Sequence, residues 1–287
     1  VVPGHELAVT VEALGDDART GGVAVGDLCT VLPYVNCGDC AACRTGRTNA
    51  CVRLRVLGVH VDGGLVERMN VPLRLLVPAG GLGPDAAALV EMLAIGEHAA
   101  ARGRVAPEDR VLVVGLGPIG LGAALAALRR GARLGLVDTS AERRDFAASR
   151  GLGAPVDAAG GADPEGRVRE AFGGELATVV VDATGSVASM VASPRLLGPG
   201  GRLVLVGHTP HQLPFENQVL HQRELTVLAS RNATRADFDA VMADMARNGP
   251  TALDWVTHRV ALQDVPSSLE AWSERPAGLI KALVDVS

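Results

Sequence analysis

Residues 109–138 read DRVLVVGLGPIGLGAALAALRRGARLGLVD: an unbroken apolar run, a glycine turn, a stretch of small residues, and a second apolar run that ends on an acid. Strands apolar on both faces belong in a parallel sheet covered by helices on either side. The order strand, G-x-G-x-x-G, helix, strand, acid is the fingerprint of a dinucleotide-binding unit. Gly115 permits the tight turn, Gly117 lets the backbone approach a pyrophosphate, and Gly120 allows the helix to pack closely on the strand. Pro118 and Ile119 complete the cofactor-binding turn, which places the diphosphate at a helix N-terminus. Asp138 stands where the ribose hydroxyls are bound; its charge would repel a 2′-phosphate and favours NAD over NADP. Arg143 and Arg144 nearby keep NADP as the alternative cofactor.

Downstream the pattern repeats. Ala177–Asp182 is an apolar run entering the turn DATGS, 201–207 follows the turn GPGG, and 224–229 is a further run, with helix-compatible stretches between them. This alternation predicts an α/β, doubly wound parallel sheet.

Upstream, Cys37, Cys40, Cys43 and Cys51 are spaced C-x2-C-x2-C-x7-C, with Gly38, Asp39, Ala41 and Ala42 between the first three. Such a short loop lets thiolates converge on one tetrahedral zinc. Two disulfides are the competing reading, disfavoured by the strain of bridging residues three apart and by the absence of a secretion signal. Four cysteine ligands leave no open position, so this zinc is expected to be structural. The fifth cysteine, Cys29, lies inside the strand-like run 27–32 and reads as a core thiol.

With 287 residues and 48% hydrophobic content, the chain can bury two ordinary cores. Its formal charge of -5 is well mixed, which argues against nucleic acid or anionic lipid as partners. No apolar run approaches the roughly 20 residues of a membrane span, and the cytoplasm is the expected location. Lysine is represented by Lys281 alone, which we read as codon bias toward arginine.

The start PGHE, the four-cysteine lobe and the dinucleotide fingerprint, in that order, resemble the zinc-containing medium-chain dehydrogenase/reductase family, in its alcohol and sorbitol dehydrogenase-like, polyol or sugar-acid branch. The match spans essentially the whole chain. It implies a Rossmann domain (93–253) inserted in a β-rich, barrel-like catalytic domain (1–92, lobe 36–52, returning at 254–287), with strands near 257–260 and 279–286 and the reaction in the cleft between domains. It makes His5 a ligand of a catalytic zinc and Glu6 its neighbour in the site.

The segment LVEMLAIGEHAA resembles the helix-entry segment of polyol dehydrogenases, where a glutamate lies at or near that zinc; Glu91 is the match. Its alternative reading is an acid favoured by a helix N-terminus. His98 is expected to be structural. Arg143, five residues after the ribose acid, matches an arginine near the adenine end, with surface solvation as the alternative. LASRNATRADF and WVTHR resemble bacterial members acting on sugar acids or polyols and would put Arg231 near nicotinamide or substrate; a capping loop built on Asn232 and Thr234 competes.

The implied activity is zinc-assisted hydride transfer from a secondary alcohol to NAD. The family carries a further segment ahead of PGHE, with a cysteine zinc ligand and a hydroxyl residue of the proton relay. This sequence shows neither, so we expect an N-terminally truncated member with an incomplete catalytic zinc site, slow turnover and intact NAD binding. A non-enzymatic NAD-binding protein and a dehydrogenase of simple alcohols are the alternatives. A nucleic-acid-binding zinc module fails for want of stacking aromatics, 2% of residues, despite Arg44, Arg47, Arg53 and Arg55 near the lobe. The resemblance also implies a small-molecule alcohol substrate and a homodimer or homotetramer.

Overall fold

The two apolar runs flanking the glycine turn form the middle of a six-stranded parallel sheet. In chain order its strands are β1 (Arg110–Val114), β2 (Arg133–Val137), β3 (Ala154–Pro155), β4 (Ala177–Asp182), β5 (Leu197–Leu205) and β6 (Thr226–Ala229). Their spatial order is 3-2-1-4-5-6, and every neighbouring pair runs parallel. The order reverses between β1 and β4, which is the switch point where doubly wound sheets bind dinucleotides. Val111, Leu112, Val113, Val179 and Val180 are fully buried, so both faces of the central strands are dry. Each such side chain contributes about 1.5–3 kcal/mol on leaving water.

The protein is described here by a computed structural model covering residues 1–15, 22–159, 163–250, 252–274 and 278–286. It divides into two compact units, one of Val1–Ala94 with Ala233–Ser287 and one of Ile95–Asn232. The sheet just described belongs to the second. In the first, Leu28–Val31 lies between Ala8–Thr10 and Leu76–Pro78 in an antiparallel three-stranded sheet, while Tyr34–Val35 pairs with Arg55–Val56 and Val256–Ala261 pairs with Lys281–Asp285. Val31, Leu57 and Leu75 form its buried centre. Cys29 is fully buried in the middle strand.

The return to the first unit comes at Ala233, ahead of the 253/254 boundary expected from sequence. The helix Arg235–Asn248 starts it: Thr234 and Asp237 close a capping box. Phe238 then packs edge-on against Tyr34 of the same unit. A helix pattern alone does not reveal which core it joins. Among the described residues, no helix is long and apolar enough to cross a membrane.

Candidate metal and cofactor sites

The four cysteines converge. Their sulfurs all lie within 4.8 Å of one another, with Cys37 and Cys51 at 3.4 Å, Cys40 and Cys43 at 3.5 Å, and Cys37 and Cys43 at 3.9 Å. These separations exclude a covalent S–S bond, and all five cysteines are free thiols. A tetrahedron of sulfurs about 2.3 Å from a zinc has edges of about 3.8 Å, so the spacing and the donor set fit zinc. The loop is shaped for this: Gly38 and Gly46 adopt positive φ of 79° and 77° on either side of the helical turn Ala41–Arg44. Backbone amides of Cys37 and Arg53 donate to the Cys51 sulfur at 3.4 and 3.3 Å. The Cys43 and Val52 amides pull the Cys40 thiol down to about 6. Burial and the adjacent Cys40 push Cys43 up to about 12. Asp39 and Arg53 form an ion pair over the loop.

A second cluster forms at the chain start. One ligand atom each from His5, Glu6 and Glu91 lies within 4.8 Å of the others. Gly4 takes φ +100°, and a Cβ on it would meet Leu65 N at 2.9 Å; Cβ atoms on Gly58 and Gly63 would strike Gly4 O at 2.6 and 2.1 Å. Backbone therefore packs on backbone here, and the amides of Gly63, Gly64 and Leu65 donate to the carbonyls of Val2, Gly4 and Pro3 at 2.8–3.0 Å. This clamp fixes where His5 and Glu6 emerge.

Glu91 reaches the cluster from the helix Pro84–Arg102. It is not a helix-start acid: Asp85 holds the first turn, because the helix begins at Pro84, whose fixed φ suits that position. Glu91 is 1% exposed. Its Oε1 accepts a hydrogen bond from the Tyr34 hydroxyl, while its Oε2 is buried with no partner. Burial pushes this carboxyl up to about 7, against the opposing effect of the Tyr34 bond. His5 is held below its usual value by burial and then by the charge of Lys281, which favours the neutral, metal-ligating imidazole. Lys281 forms an ion pair with Glu6, and burial brings its ammonium down to about 8. A neutral imidazole, two carboxylates and an orphaned buried oxygen suit a divalent cation such as zinc.

The dinucleotide turn is equally specific. Gly115 has φ +88°, and a Cβ on it would meet Thr184 at 2.9 Å; one on Gly120 would fall 1.8 Å from Gly115 O. Gly117 differs: its φ is an ordinary -72°, and a Cβ there would touch nothing within 4 Å. The protein itself does not require glycine at 117, so the open space in front of it is a cradle that a ligand would fill. Gly117 is also the N-cap of the helix Pro118–Arg129 and has no side chain to bond the first amides, which stay available for an anionic group. Pro118 and Ile119 are partly exposed beside it.

Asp138 directly follows β2 and closes on this turn, its Oδ2 accepting from Leu116 N at 2.7 Å and its Oδ1 from Ser140 N at 2.8 Å. Arg143 lies 4.0 Å from the same carboxylate. Arg144 is occupied with the Asp138 carbonyl. Arg231 is exposed next to Asn232, the last residue of the second unit. Asn232 takes φ +51°, and Thr234 is the cap of the following helix.

Two residues that contact the second cluster, Tyr34 on Glu91 and Lys281 on Glu6, belong to no motif. The signal was compositional: they are the only tyrosine and the only lysine of the chain.

Family models match the chain in two places, the alcohol dehydrogenase GroES-like domain over residues 1–81 and the zinc-binding dehydrogenase domain over residues 118–247. The chain is 40% identical over 283 residues to the L-galactonate-5-dehydrogenase of Escherichia coli K12, covering 99% of this chain and 82% of that protein. It is 33% identical over 276 residues to the D-altritol 5-dehydrogenase of Agrobacterium fabrum, covering 92% and 78%. An alcohol dehydrogenase of Escherichia coli CFT073, solved with NADH, superposes with TM-score 0.86 at 27% identity over 98% of this chain and 82% of its own.

Proposed function

The chain belongs to the zinc-binding alcohol dehydrogenase family, and we propose that it oxidises a secondary hydroxyl of a sugar acid or polyol, with NAD as hydride acceptor. The observation that carries this reading is the meeting of His5, Glu6 and Glu91 around a buried, unpartnered carboxylate oxygen. A structural zinc belongs with Cys37, Cys40, Cys43 and Cys51, and a second zinc with His5, Glu6 and Glu91.

Bound at the second site, zinc supplies Lewis acidity that lowers the pKa of a substrate hydroxyl, and NAD supplies the hydride acceptor. His5 offers a neutral ring nitrogen, because burial and the Lys281 charge disfavour its protonated form. Glu91 contributes a carboxylate whose other oxygen is already held by Tyr34. Glu6 balances the ammonium of Lys281. Gly115, Gly117 and Gly120 shape the pyrophosphate cradle, and the amides after Gly117 bind its charge. Asp138 holds the ribose hydroxyls, and its charge makes NAD the preferred cofactor. Arg143, 4.0 Å from that carboxylate, is the feature that favours NADP as the second reading.

The test is to supply the chain with zinc and either NAD or NADP, and to follow nicotinamide reduction with aldonates, alditols and simple alcohols. Reduction of NAD by aldonates or alditols supports the proposal; reduction only by simple alcohols overturns the substrate class.

A further inference from the structure

The geometry points to Tyr34 as a positioning residue of the second metal site: its hydroxyl holds Oε1 of Glu91 and so selects Oε2 as the oxygen offered to a divalent cation. This rests on the reading of His5, Glu6 and Glu91 as metal ligands.

The terminal torsion of a glutamate is soft and its two oxygens are equivalent, so a free carboxylate can present either or both to an ion. Glu91 is not free in this sense. Tyr34 is 3% exposed and sits in the short strand Tyr34–Val35, where it pairs with Val56. The fully buried ring of Phe238 meets it edge-on, with centroids 6.4 Å apart and planes at 88°. Strand pairing therefore fixes the backbone that carries the ring, Phe238 packs against the ring itself, and the hydroxyl ends on Glu91 Oε1. A sealed carboxylate with one oxygen bonded and one orphaned is an unusual expense in a folded core. It makes sense if the orphan is reserved for a ligand. Partners that orient metal-binding side chains in this way commonly change metal affinity by about 10–100-fold when removed.

A purely structural tyrosine, present only to satisfy a buried carboxyl, would affect folding stability and leave the metal's electronic environment alone. Cobalt(II) separates the two. The metal-stripped 287-residue chain would be titrated with cobalt(II) as wild type, Tyr34→Phe and Glu91→Gln, following the visible ligand-field bands and the rate at which a chelator removes each ion. Cobalt on the four cysteines gives intense thiolate bands that report intact folding of the lobe in every variant. Wild type should bind a second cobalt, Glu91→Gln should lose it, and Tyr34→Phe should bind it about 10–100-fold more weakly with shifted bands.

Weaker binding with unshifted bands, or a Tyr34→Phe titration that overlays wild type while Glu91→Gln still loses the ion, overturns the role of Tyr34 and leaves the metal reading standing. A wild-type chain that takes only the cysteine-bound ion, or a Glu91→Gln chain that keeps both, overturns the metal reading and this inference with it. If Tyr34→Phe also loses the thiolate bands, Phe238→Leu replaces it, since it keeps the hydroxyl and removes only the wall. A second ion weakened in that variant supports the inference; one unchanged in affinity and spectrum overturns it.

Discussion

Lys281, in the strand Lys281–Asp285, forms an ion pair with Glu6 near the chain start, and the two side chains are only 15% and 27% exposed. The pair ties the final strand to the PGHE segment, so it contributes to where Glu6 stands as well as to folding. Removing one partner of a largely buried pair leaves the other charge uncompensated, at a cost below the 3–5 kcal/mol of a fully sealed pair because Glu6 keeps some water. We expect Lys281→Met to lower unfolding free energy by about 1–3 kcal/mol in guanidinium titration, and Lys281→Arg to recover most of it. Coincident curves for Lys281→Met and wild type would show that the contact is energetically silent.

Cys43 has sulfur neighbours on both sides, Cys37 at 3.9 Å and Cys40 at 3.5 Å. Cys43→Ser replaces a thiolate with a poor zinc ligand and unties a lobe whose buried apolar content is slight. The expected result is loss of one zinc per chain and of several kcal/mol of stability, seen together in elemental analysis and thermal melting. A zinc count unchanged by this substitution would contradict a structural site.

Gly117 and Gly120 make opposite demands. A Cβ at 120 collides with Gly115 O, whereas one at 117 meets no protein atom. Gly120→Ala should therefore destabilise the fold by about 3 kcal/mol. Gly117→Ala should melt with wild type yet bind NADH at least about tenfold more weakly, about 1.4 kcal/mol, measured by fluorescence titration. If Gly117→Ala binds NADH normally, the space before it is not the pyrophosphate cradle.

Asp138 carries the charge that would repel a 2′-phosphate, and Arg143 lies beside it. Asp138→Asn keeps an acceptor for Leu116 N and removes the charge. The ratio of NADPH to NADH affinity should rise about tenfold, equivalent to about 1.4 kcal/mol. A ratio that stays put would remove the basis for assigning NAD.

The sequence was most legible where local chemistry is periodic or tightly spaced. The glycine fingerprint sits in a turn whose backbone demands glycine at 115 and 120, and the cysteine spacing closes on itself within one loop. Cys29 is likewise where an apolar run puts a core thiol. The second cluster was legible only in part. PGHE pointed to His5 and Glu6, but its position depends on Gly58, Gly63 and Gly64 packing against Gly4, a contact between segments distant in the chain. Tyr34 and Lys281 reach Glu91 and Glu6 through tertiary packing that has no periodicity in the sequence. The scarcity of lysine reads as codon usage, and only the fold shows that the single lysine lies against a candidate ligand. The helix holding Glu91 begins earlier than the acid itself suggested, since Pro84 and Asp85 already supply its first turn.

The most direct test of the account is the number of zinc ions per chain, counted by elemental analysis after equilibration with excess zinc and gel filtration, for wild type and for His5→Ala. Two ions are expected in wild type and one in His5→Ala, with the cysteine lobe filled in both. One ion in both proteins would contradict it, for His5, Glu6 and Glu91 would then meet without holding a metal.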